Sequence, residues 1–515
     1  MTTINRTKNT ARNAIWGFID KIILMILPFI TRTLILKLIG EEYLGLNGLF
    51  TSIITVLNIA DLGFGAAITY SMYKPIADND NETLCAILNF YRKIYRIIGC
   101  IIFIVGFLLM PFLPNLIKGD VPPDINLYLL FLIYLVNTTL GYLLFAYKRS
   151  LLHAYHRDDK VSKIAVSLNI LQYAIQILVL SLFKSYYAYV IVLPLITLVG
   201  NIATSIVSKK MFPQLECRGC IDPSIMKKIK KQVSGAFIGK ICGQMRTALD
   251  GIFISSFLGL TQVAIYSNYY YILSAIHNFM TVTTNSMVGG VGNSIAKEDL
   301  EKNYKDFQKF TFLYAWIAGW FSCCLVCLYQ PFMRLWTGED LMLPFGTMIL
   351  FCIYLYIMSA SDIKNVYYTA RGLWWEGRWR AIIEVVVNLV LHYFAAKYCG
   401  IFGIILASII TMASVNFVYG VAILFKHYFI NSSLTKYLLT YLKYLIITIF
   451  VCSVSYYICS YIPDTSIVNM IVIAIISTIL SNLLFYAFYS RTAVFDEVKP
   501  LFIRLIGGII HKFYK

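Results

Sequence analysis

Long apolar segments recur along the whole chain and alternate with short polar ones. Each runs for about 20 residues or more, the length that an α-helix needs to cross a bilayer. Transmembrane β-strands would instead be about ten residues long and would alternate between apolar and polar side chains. About fourteen such segments can be counted, the first starting near residue 13 and the last near residue 466. The pattern predicts an all-α integral membrane protein with about fourteen transmembrane helices.

The sequence also contains an internal repeat. An offset of 219 residues places Phe18–Ile22 on Phe237–Ile241 with four of five residues identical and no gap. The same offset aligns Gly40 with Gly259 and Tyr95 with Tyr314. Because an even number of predicted helices separates equivalent points, both halves enter the membrane in the same direction and are parallel repeats. We therefore expect two six-helix bundles around a central cavity, followed by two additional C-terminal helices.

The repeat divides the chain into four predicted regions. Residues 1–208 form the N-terminal bundle and residues 232–426 the C-terminal bundle. Between them, residues 209–231 are a basic cytoplasmic linker, in which Asp222-Pro223-Ser224 precedes a basic amphipathic helix that lies on the membrane surface. Residues 427–515 contain the two extra transmembrane helices and a basic cytoplasmic tail.

Composition and charge support a multi-pass membrane protein. The chain is 59% hydrophobic, against roughly 45–50% for soluble domains, and its mean hydropathy is +0.71. Its net charge is +18. With both termini in the cytoplasm, most basic residues fall in predicted inner segments, as the positive-inside rule requires. The predicted outer loops hold only four basic residues, Lys118, Lys184, Arg334 and Lys397. The charge thus indicates topology and attraction to anionic membrane lipid, and requires no nucleic-acid partner.

The motifs of several other classes of protein are missing. The sequence has no Gly-rich phosphate loop followed by Lys, no HExxH, no GxSxG and no cluster of metal-ligating residues. The Cys217–Cys220 pair is a lone CxxC, which is a weak metal or redox signal. The sequence therefore predicts a secondary transporter that is not an enzyme and has no cofactor, with coupling to H⁺ or Na⁺ as an option.

Charged residues within the two repeated lead helices are the main candidate functional groups, because charges at membrane depth are costly and usually functional. Tight helix packing through glycines, snorkelling of Arg32 and an Arg246–Asp250 ion pair are the structural alternatives. The candidate substrate-binding residues of the central cavity are Lys21, Arg32, Lys240, Gln244, Arg246, Thr247 and Asp250.

A carboxylate at Asp61 is the leading candidate for ion coupling. It lies in Ala60–Gly65, where glycines allow another backbone to approach closely or the helix to unwind locally. It is expected to carry a proton or Na⁺, or to pair with a lysine, and Asp20 is a further candidate. A second group of charges, Asp362, Lys364 and Glu384, is expected to form an ion network between helices. His277 and His392 are expected to be ordinary packing residues.

Several motifs resemble the bacterial polysaccharide (O-antigen) flippases of the multidrug/oligosaccharidyl-lipid/polysaccharide exporter superfamily. The likeness covers roughly residues 10 to 425. The segments that carry it are Gly40–Phe50, Ala60–Gly65 with Ala67-Ile68, Tyr73-Lys74-Pro75, Tyr91-Arg92-Lys93 with Tyr95, Tyr147-Lys148-Arg149 with Leu151-Leu152, and Gly400–Ile404 after Asn388-Leu389. Departures include Ala154-Tyr155-His156, where relatives commonly have an acidic residue followed by Gln.

The resemblance implies a flippase of the bacterial cytoplasmic (inner) membrane. Such a protein moves a polyprenyl-diphosphate-linked oligosaccharide from the cytoplasmic to the outer leaflet for cell-surface polysaccharide assembly, by alternating access. Glycan polymerase and glycosyltransferases are partners that it suggests. A diphosphate needs cations in a hydrated cleft, and Lys21, Lys240 and Arg246 are the candidates.

Three alternatives remain at this point. A cation-coupled multidrug exporter of the same superfamily would have an acidic or aromatic cavity, whereas the lead helices here bring net positive charge. A membrane polymerase or ligase would carry a large outer loop with basic catalytic residues, and no predicted outer loop is long enough. A structural membrane scaffold is the third, although charged and duplicated helices argue against it.

Overall fold

A computed structural model describes residues 6–58, 64–145, 147–223, 226, 243–246, 248–463 and 466–500. Within these ranges the secondary structure is helical and contains no strand, so the predicted all-α class is confirmed. Three predicted site residues, Asp61, Lys240 and Thr247, lie outside the described residues. Most of the predicted interfacial helix after Asp222 does so too.

The chain divides into two compact units, residues 1–267 and residues 268–515. The boundary falls inside α10 (Leu260–Lys297). Before α10, the first unit contains α1 (Arg6–Leu38), α2 (Glu41–Leu57), α3 (Phe64–Ala77), α4 (Asn81–Leu109), a 3₁₀ segment (Met110–Leu116), α5 (Leu127–Leu143), α6 (Tyr147–Ala154), α7 (Asp158–Phe183), α8 (Tyr186–Met211) and α9 (248–258).

The second unit continues with longer helices. It contains α11 (Leu300–Thr337), a 3₁₀ segment (Glu339–Leu341), α12 (Phe345–Arg371), α13 (Arg378–Thr411), a π-helical segment (Met412–Tyr419), α14 (Gly420–His427), α15 (Leu434–Cys459) and α16 (Ile467–Tyr489). These contact-based units are a different division from the repeat boundaries at residues 208, 231 and 426, which stay a prediction.

Eight helical stretches of the described residues are long and apolar enough to cross a membrane. Helices α5 and α6 add a ninth if they form one span, bent by 49°. The protein is therefore a multi-pass membrane protein, as predicted, while the count of about fourteen spans stays a prediction. The stretches that qualify are 81–116, Asp158–Phe183, Tyr186–Met211, Leu300–Thr337, Phe345–Arg371, 378–427, Leu434–Cys459 and Ile467–Tyr489.

Local sequence signals explain where helices begin. Asp80 precedes α4 and its carboxylate accepts a hydrogen bond from the Thr83 amide at 2.9 Å. Asp299 caps α11 in the same way through the Lys302 amide at 2.7 Å. A side-chain oxygen at this position satisfies an amide that has no partner within the helix.

The internal repeat is visible in the backbone. Gly40 lies between α1 and α2 with φ of 131°, and Gly259 lies between α9 and α10 with φ of 94°. Both φ values lie in the positive region, which residues other than glycine rarely adopt. The two glycines that the sequence aligned thus serve the same purpose, which is to turn the chain sharply between consecutive helices.

The two units differ in their interiors. In the first, an aliphatic and aromatic core surrounds Phe50, whose ring lies 5.4 Å from Phe131. In the second, Phe307 is fully buried and its ring lies 5.0 Å from Tyr367 and 5.1 Å from Phe429. The core of the second unit is therefore rich in aromatic side chains, which contact one another in edge-to-face and tilted arrangements.

Candidate functional site

A polar cavity opens within the first unit, among α3, α4, α5, α6 and α8. Its volume is about 790 Å³, within the range of roughly 300–1,000 Å³ that is usual for ligand sites. Five of its residues are tyrosines, and no described residue of its lining is acidic. The lining consists of Asn58, Gly65, Thr69, Tyr70, Tyr73, Tyr91, Tyr95, Asn137, Thr138, Gly141, Tyr142, Arg149, Ser150, His153 and Thr197.

The aromatic wall is built by spacing along α4. Tyr91 and Tyr95 are four residues apart and so lie on one face of the helix, with ring centroids 4.3 Å apart at 77°. Tyr142 on α5 extends the wall, 5.5 Å from Tyr95. Gly65 faces them, and a Cβ there would lie 3.2 Å from the Tyr91 hydroxyl. A side chain at Gly65 would therefore crowd this wall.

Hydrogen bonds between helices hold the polar part of the lining in place. The Thr197 hydroxyl on α8 donates to the side-chain amide oxygen (Oδ1) of Asn137 on α5 at 2.7 Å. The Tyr142 hydroxyl donates to the side-chain amide oxygen (Oδ1) of Asn58 at 3.3 Å. Because these donors and acceptors are positioned in advance, the cavity presents fixed polar groups to a ligand.

Arg149 is the one cation of the described lining. It lies on α6 and is exposed, and no hydrogen-bonding or ion-pair partner for it is found among the described residues. His153, one turn further along α6, contacts the carboxylate of Asp158 instead. Arg149 is thus available to an anionic group, which its planar guanidinium binds through two parallel hydrogen bonds.

The predicted residues of the first lead helix are not part of this lining. Lys21 is exposed on α1, and its neighbour Asp20 accepts a hydrogen bond from Asn169 at 3.2 Å. Arg32 donates to the Ser267 hydroxyl at 2.7 Å, which joins α1 to α10. Arg32 therefore makes a specific contact within the protein rather than only extending to the membrane surface.

The described site residues of the second lead helix, Gln244, Arg246 and Asp250, are not part of this lining either. Arg246 is buried, and Asp250 is fully buried, where it accepts a hydrogen bond from Tyr266 at 2.5 Å. Gln244 is exposed. Gly251 packs closely on Ser52 of α2, and a Cβ there would clash with the Ser52 hydroxyl unless that side chain moved. At Gly251, therefore, the structure favours the packing alternative.

Two of the three charges that were expected to form an ion network in the second unit, Lys364 and Glu384, are linked, and Asp362 is part of another cluster. The ammonium of Lys364 donates to the backbone carbonyl of Asn416 at 2.7 Å and to its side chain at 3.0 Å. Asn416 donates in turn to Glu384, which also pairs with Arg380 at 2.9 Å. Lys364 and Glu384 are thus linked through Asn416.

Asp362 belongs to a different cluster of the second unit. It bonds His277 at 3.1 Å and Tyr314 at 3.0 Å. His277 therefore has a charged partner, in contrast to its expected role as an ordinary packing residue. His392 does match that expectation, because its nitrogens contact the Asn388 carbonyl at 2.8 Å and Ser408 at 3.2 Å.

The cavity residues were not chosen as site residues from sequence, although two signals pointed to them. Tyr73, Tyr91, Tyr95 and Arg149 all lie in the segments that carry the family resemblance. The tyrosine pairs at spacings of three and four residues also mark single helix faces. Reasoning from charge at membrane depth overlooked them because tyrosine is neutral and Arg149 lies close to a predicted loop.

Comparison with known families settles the relationship. A sequence model of the family described as "Polysaccharide biosynthesis protein" matches residues 10–288, which is more than half of the 515-residue chain. The chain belongs to this family. The family's match spans the whole described lining of the cavity. No curated protein matches the chain significantly.

Solved structures with the same fold are transporters. The chain is similar to the lipid II flippase MurJ in an inward closed conformation, with a TM-score of 0.69 and 14% identity over 93% of this chain and 99% of MurJ. It is also similar to an inward-facing multidrug resistance transporter of the MATE family, with a TM-score of 0.59 and 15% identity over 77% and 93% of the two chains. A third similar structure is a transporter of the same superfamily from Pyrococcus furiosus. Its TM-score is 0.53, with 14% identity over 81% of this chain and 96% of that transporter. At these identities the comparison shows a shared transporter fold.

Proposed function

We propose that this family member is a flippase for a polyprenyl-diphosphate-linked oligosaccharide, which it moves from the cytoplasmic to the outer leaflet for cell-surface polysaccharide assembly. The observation that carries the proposal is the cavity of the first unit, with its tyrosines and Arg149. The polysaccharide family and the fold shared with MurJ support it. In this proposal the protein resides in the bacterial cytoplasmic membrane with both termini in the cytoplasm.

The cavity suits a sugar phosphate in three respects. Exposed tyrosine rings such as Tyr70 cover the apolar faces of sugar rings, while hydroxyl and amide groups such as those of Asn137 and Thr197 hydrogen-bond sugar hydroxyls. Arg149 binds the phosphate. The prenyl chain needs no polar site and stays in lipid.

The lead-helix cations have a separate place in the proposal. Seven polar residues of the lead helices are proposed to contact the substrate at a later stage of alternating access. They are Lys21, Arg32, Lys240, Gln244, Arg246, Thr247 and Asp250. The exposed position of Lys21 supports this for one of them. Arg149 would then make the first contact with the diphosphate and the lead helices a later one.

A cation-coupled multidrug exporter is the competing function, supported by the fold shared with the MATE family. Positively charged drugs are bound best by carboxylates and open aromatic faces. The described lining supplies aromatic faces but a cation in place of an acid, which favours an anionic substrate.

Filling the cavity tests the proposal directly. Gly141 lines the cavity, and a Cβ there would meet open space, so Gly141→Leu occupies the cavity without straining the helix. In a strain that depends on this protein for glycan export, the variant should leave the lipid-linked oligosaccharide in the inner leaflet. The measurement is the fraction of lipid-linked glycan that a membrane-impermeant lectin reaches on intact spheroplasts.

Gly346→Leu is the matched control, since a Cβ at Gly346 on α12 also meets open space and Gly346 is not among the residues that line the cavity. It should export normally. Normal export by Gly141→Leu would remove the cavity from the proposal. Ethidium efflux that depends on the protein, without any effect on glycan export, would establish the drug exporter instead.

A further inference from the structure

A buried acid, an imidazole and a phenol meet within the second unit. His277 from α10 contacts one oxygen of Asp362 on α12 at 3.1 Å, and Tyr314 from α11 donates to the same oxygen at 3.0 Å. The Asp362 side chain is 9% exposed and the His277 side chain 16%. The three residues tie three helices together at a single carboxylate oxygen.

We propose that His277 and Asp362 form a proton-binding site that couples the proton gradient to the way α10 packs on α12. Imidazole is the side chain that ordinarily gains or loses its charge between about pH 5 and 8. Its partial exposure leaves a route for the proton. The function of the first-unit cavity is not needed for this inference.

Net charge explains why the proton would change the packing. When the imidazole is protonated and the carboxylate ionised, the buried pair is neutral overall. When that proton leaves, a single negative charge remains among apolar helices, and such a charge is costly without a cationic partner. Release of the proton therefore weakens the junction of α10 with α12, and its uptake restores that junction.

The groups around the pair leave this switch intact. Tyr314 from α11 and Tyr441 from α15 are the titratable groups that the described residues set against Asp362, and both are neutral phenols at physiological pH. Lys364 lies two residues away on α12 but directs its ammonium to Asn416. The described surroundings therefore supply hydrogen bonds, while the compensating positive charge comes from His277.

A proton fits this site better than Na⁺. Hard cations are held by several oxygen ligands, whereas an imidazole nitrogen occupies one side of this carboxylate. Among the described residues, no group of three or more His, Cys, Asp or Glu side chains is arranged to hold a metal ion.

Tyr314 is the position that the internal repeat aligns with Tyr95 of the cavity. The two aligned tyrosines therefore differ in their surroundings, since Tyr95 lines the cavity and Tyr314 donates to Asp362.

Hydrogen–deuterium exchange of the full chain in lipid nanodiscs tests the proposal without any transported substrate. After correction for the intrinsic pH dependence of exchange, amides near residues 277 and 362 should exchange about tenfold faster at high than at low pH, a coupling of ordinary size. His277→Gln and Asp362→Asn should each abolish the difference. His392→Gln should retain it, because the structure places His392 beside a carbonyl and a serine.

Two further measurements keep the outcome decisive. Tyr314→Phe removes one hydrogen bond but keeps the pair, so it should retain the pH response even if the other variants fold poorly. Replacing K⁺ by Na⁺ at constant pH should change nothing. Three outcomes would each overturn the proposal: wild-type protein without a pH response at α10 and α12, a pH response that persists in His277→Gln or Asp362→Asn, or a response to Na⁺.

Discussion

Tyr95 and Tyr314, which the internal repeat aligns, lie in different environments in the two units. In the first, Tyr95 lines an open cavity together with Arg149, an arginine for which the described residues supply no ion-pair partner. In the second, Tyr314 donates to the buried Asp362. The cations of the two units differ in exposure in the same way. Arg149 is exposed, whereas Lys364 is 1% exposed and donates two hydrogen bonds to Asn416.

This difference teaches how to distinguish a functional from a structural charge in a membrane protein. Depth alone does not decide, since a buried lysine satisfied by fixed partners such as Asn416 contributes to packing. A cation that lines a cavity and has no hydrogen-bonding or ion-pair partner within the protein is available to bind a ligand. The following predictions test that distinction.

The largest expected effect is on the stability of the second unit. Lys364→Met removes two hydrogen bonds from a buried charged group and should lower the free energy of unfolding by about 2–4 kcal/mol. The measurement is chemical or thermal unfolding of purified protein in detergent. Lys305→Met, at an exposed pair with Glu301, should leave unfolding unchanged. Equal stability of both variants would show that Lys364 is not a structural cation.

Arg149→Gln should impair glycan export without lowering stability, the opposite of what is expected for Lys364→Met. Glycan export should fall roughly tenfold, which corresponds to the loss of one charge-assisted interaction, while protein level and unfolding stay unchanged. Arg149→Lys should restore export only in part because it cannot bind phosphate through two parallel bonds. The assay is lectin access to spheroplasts, with the exposed Lys209→Gln as the control. An equal loss of protein and export would mean that Arg149 is structural.

Tyr91→Phe should have a smaller effect. Its hydroxyl shares a 3.2 Å hydrogen bond with Ser150, and both residues are buried, so the variant should lose about 1 kcal/mol of stability. The ring remains packed against Tyr95 in the cavity wall, so export should fall by no more than a few fold. Tyr91→Ala removes the ring from the wall and should export far less. If the Phe and Ala variants export alike, the Tyr91 ring does not shape the cavity for its substrate.

The smallest effect concerns the exposed cap of α4. The hydrogen bonds that Asp80 accepts from Thr83 hold the pKa of this carboxyl below its ordinary value. A depressed pKa means that its contribution to stability is present above the unfolded-state pKa and is lost as pH falls through the folded-state pKa. Melting of wild type and Asp80→Ala should therefore differ at neutral pH and converge in acid. A difference that persists in acid would assign the effect to something other than the ionised cap.

The sequence by itself determined the all-α class, the membrane location and the positions of several helix starts. These properties depend on composition and on neighbours close in sequence, such as Asp80 with Thr83 or the turn at Gly40. The internal repeat was also readable, because Gly40 and Gly259 need the same unusual backbone. The family followed from short motifs, which the match over residues 10–288 confirmed.

Only the tertiary structure decided which polar residues share a site. Periodicity tells which face of a helix a residue occupies, but the partner of that face comes from a helix far away in sequence. Arg149 and Tyr91 meet in one cavity through the packing of α4 and α6. The pairing of His277 with Asp362 spans 85 residues, and no local pattern specifies it. Burial and hydrogen bonding between distant helices, rather than charge along the chain, separate the proposed ligand-binding groups from the structural ones.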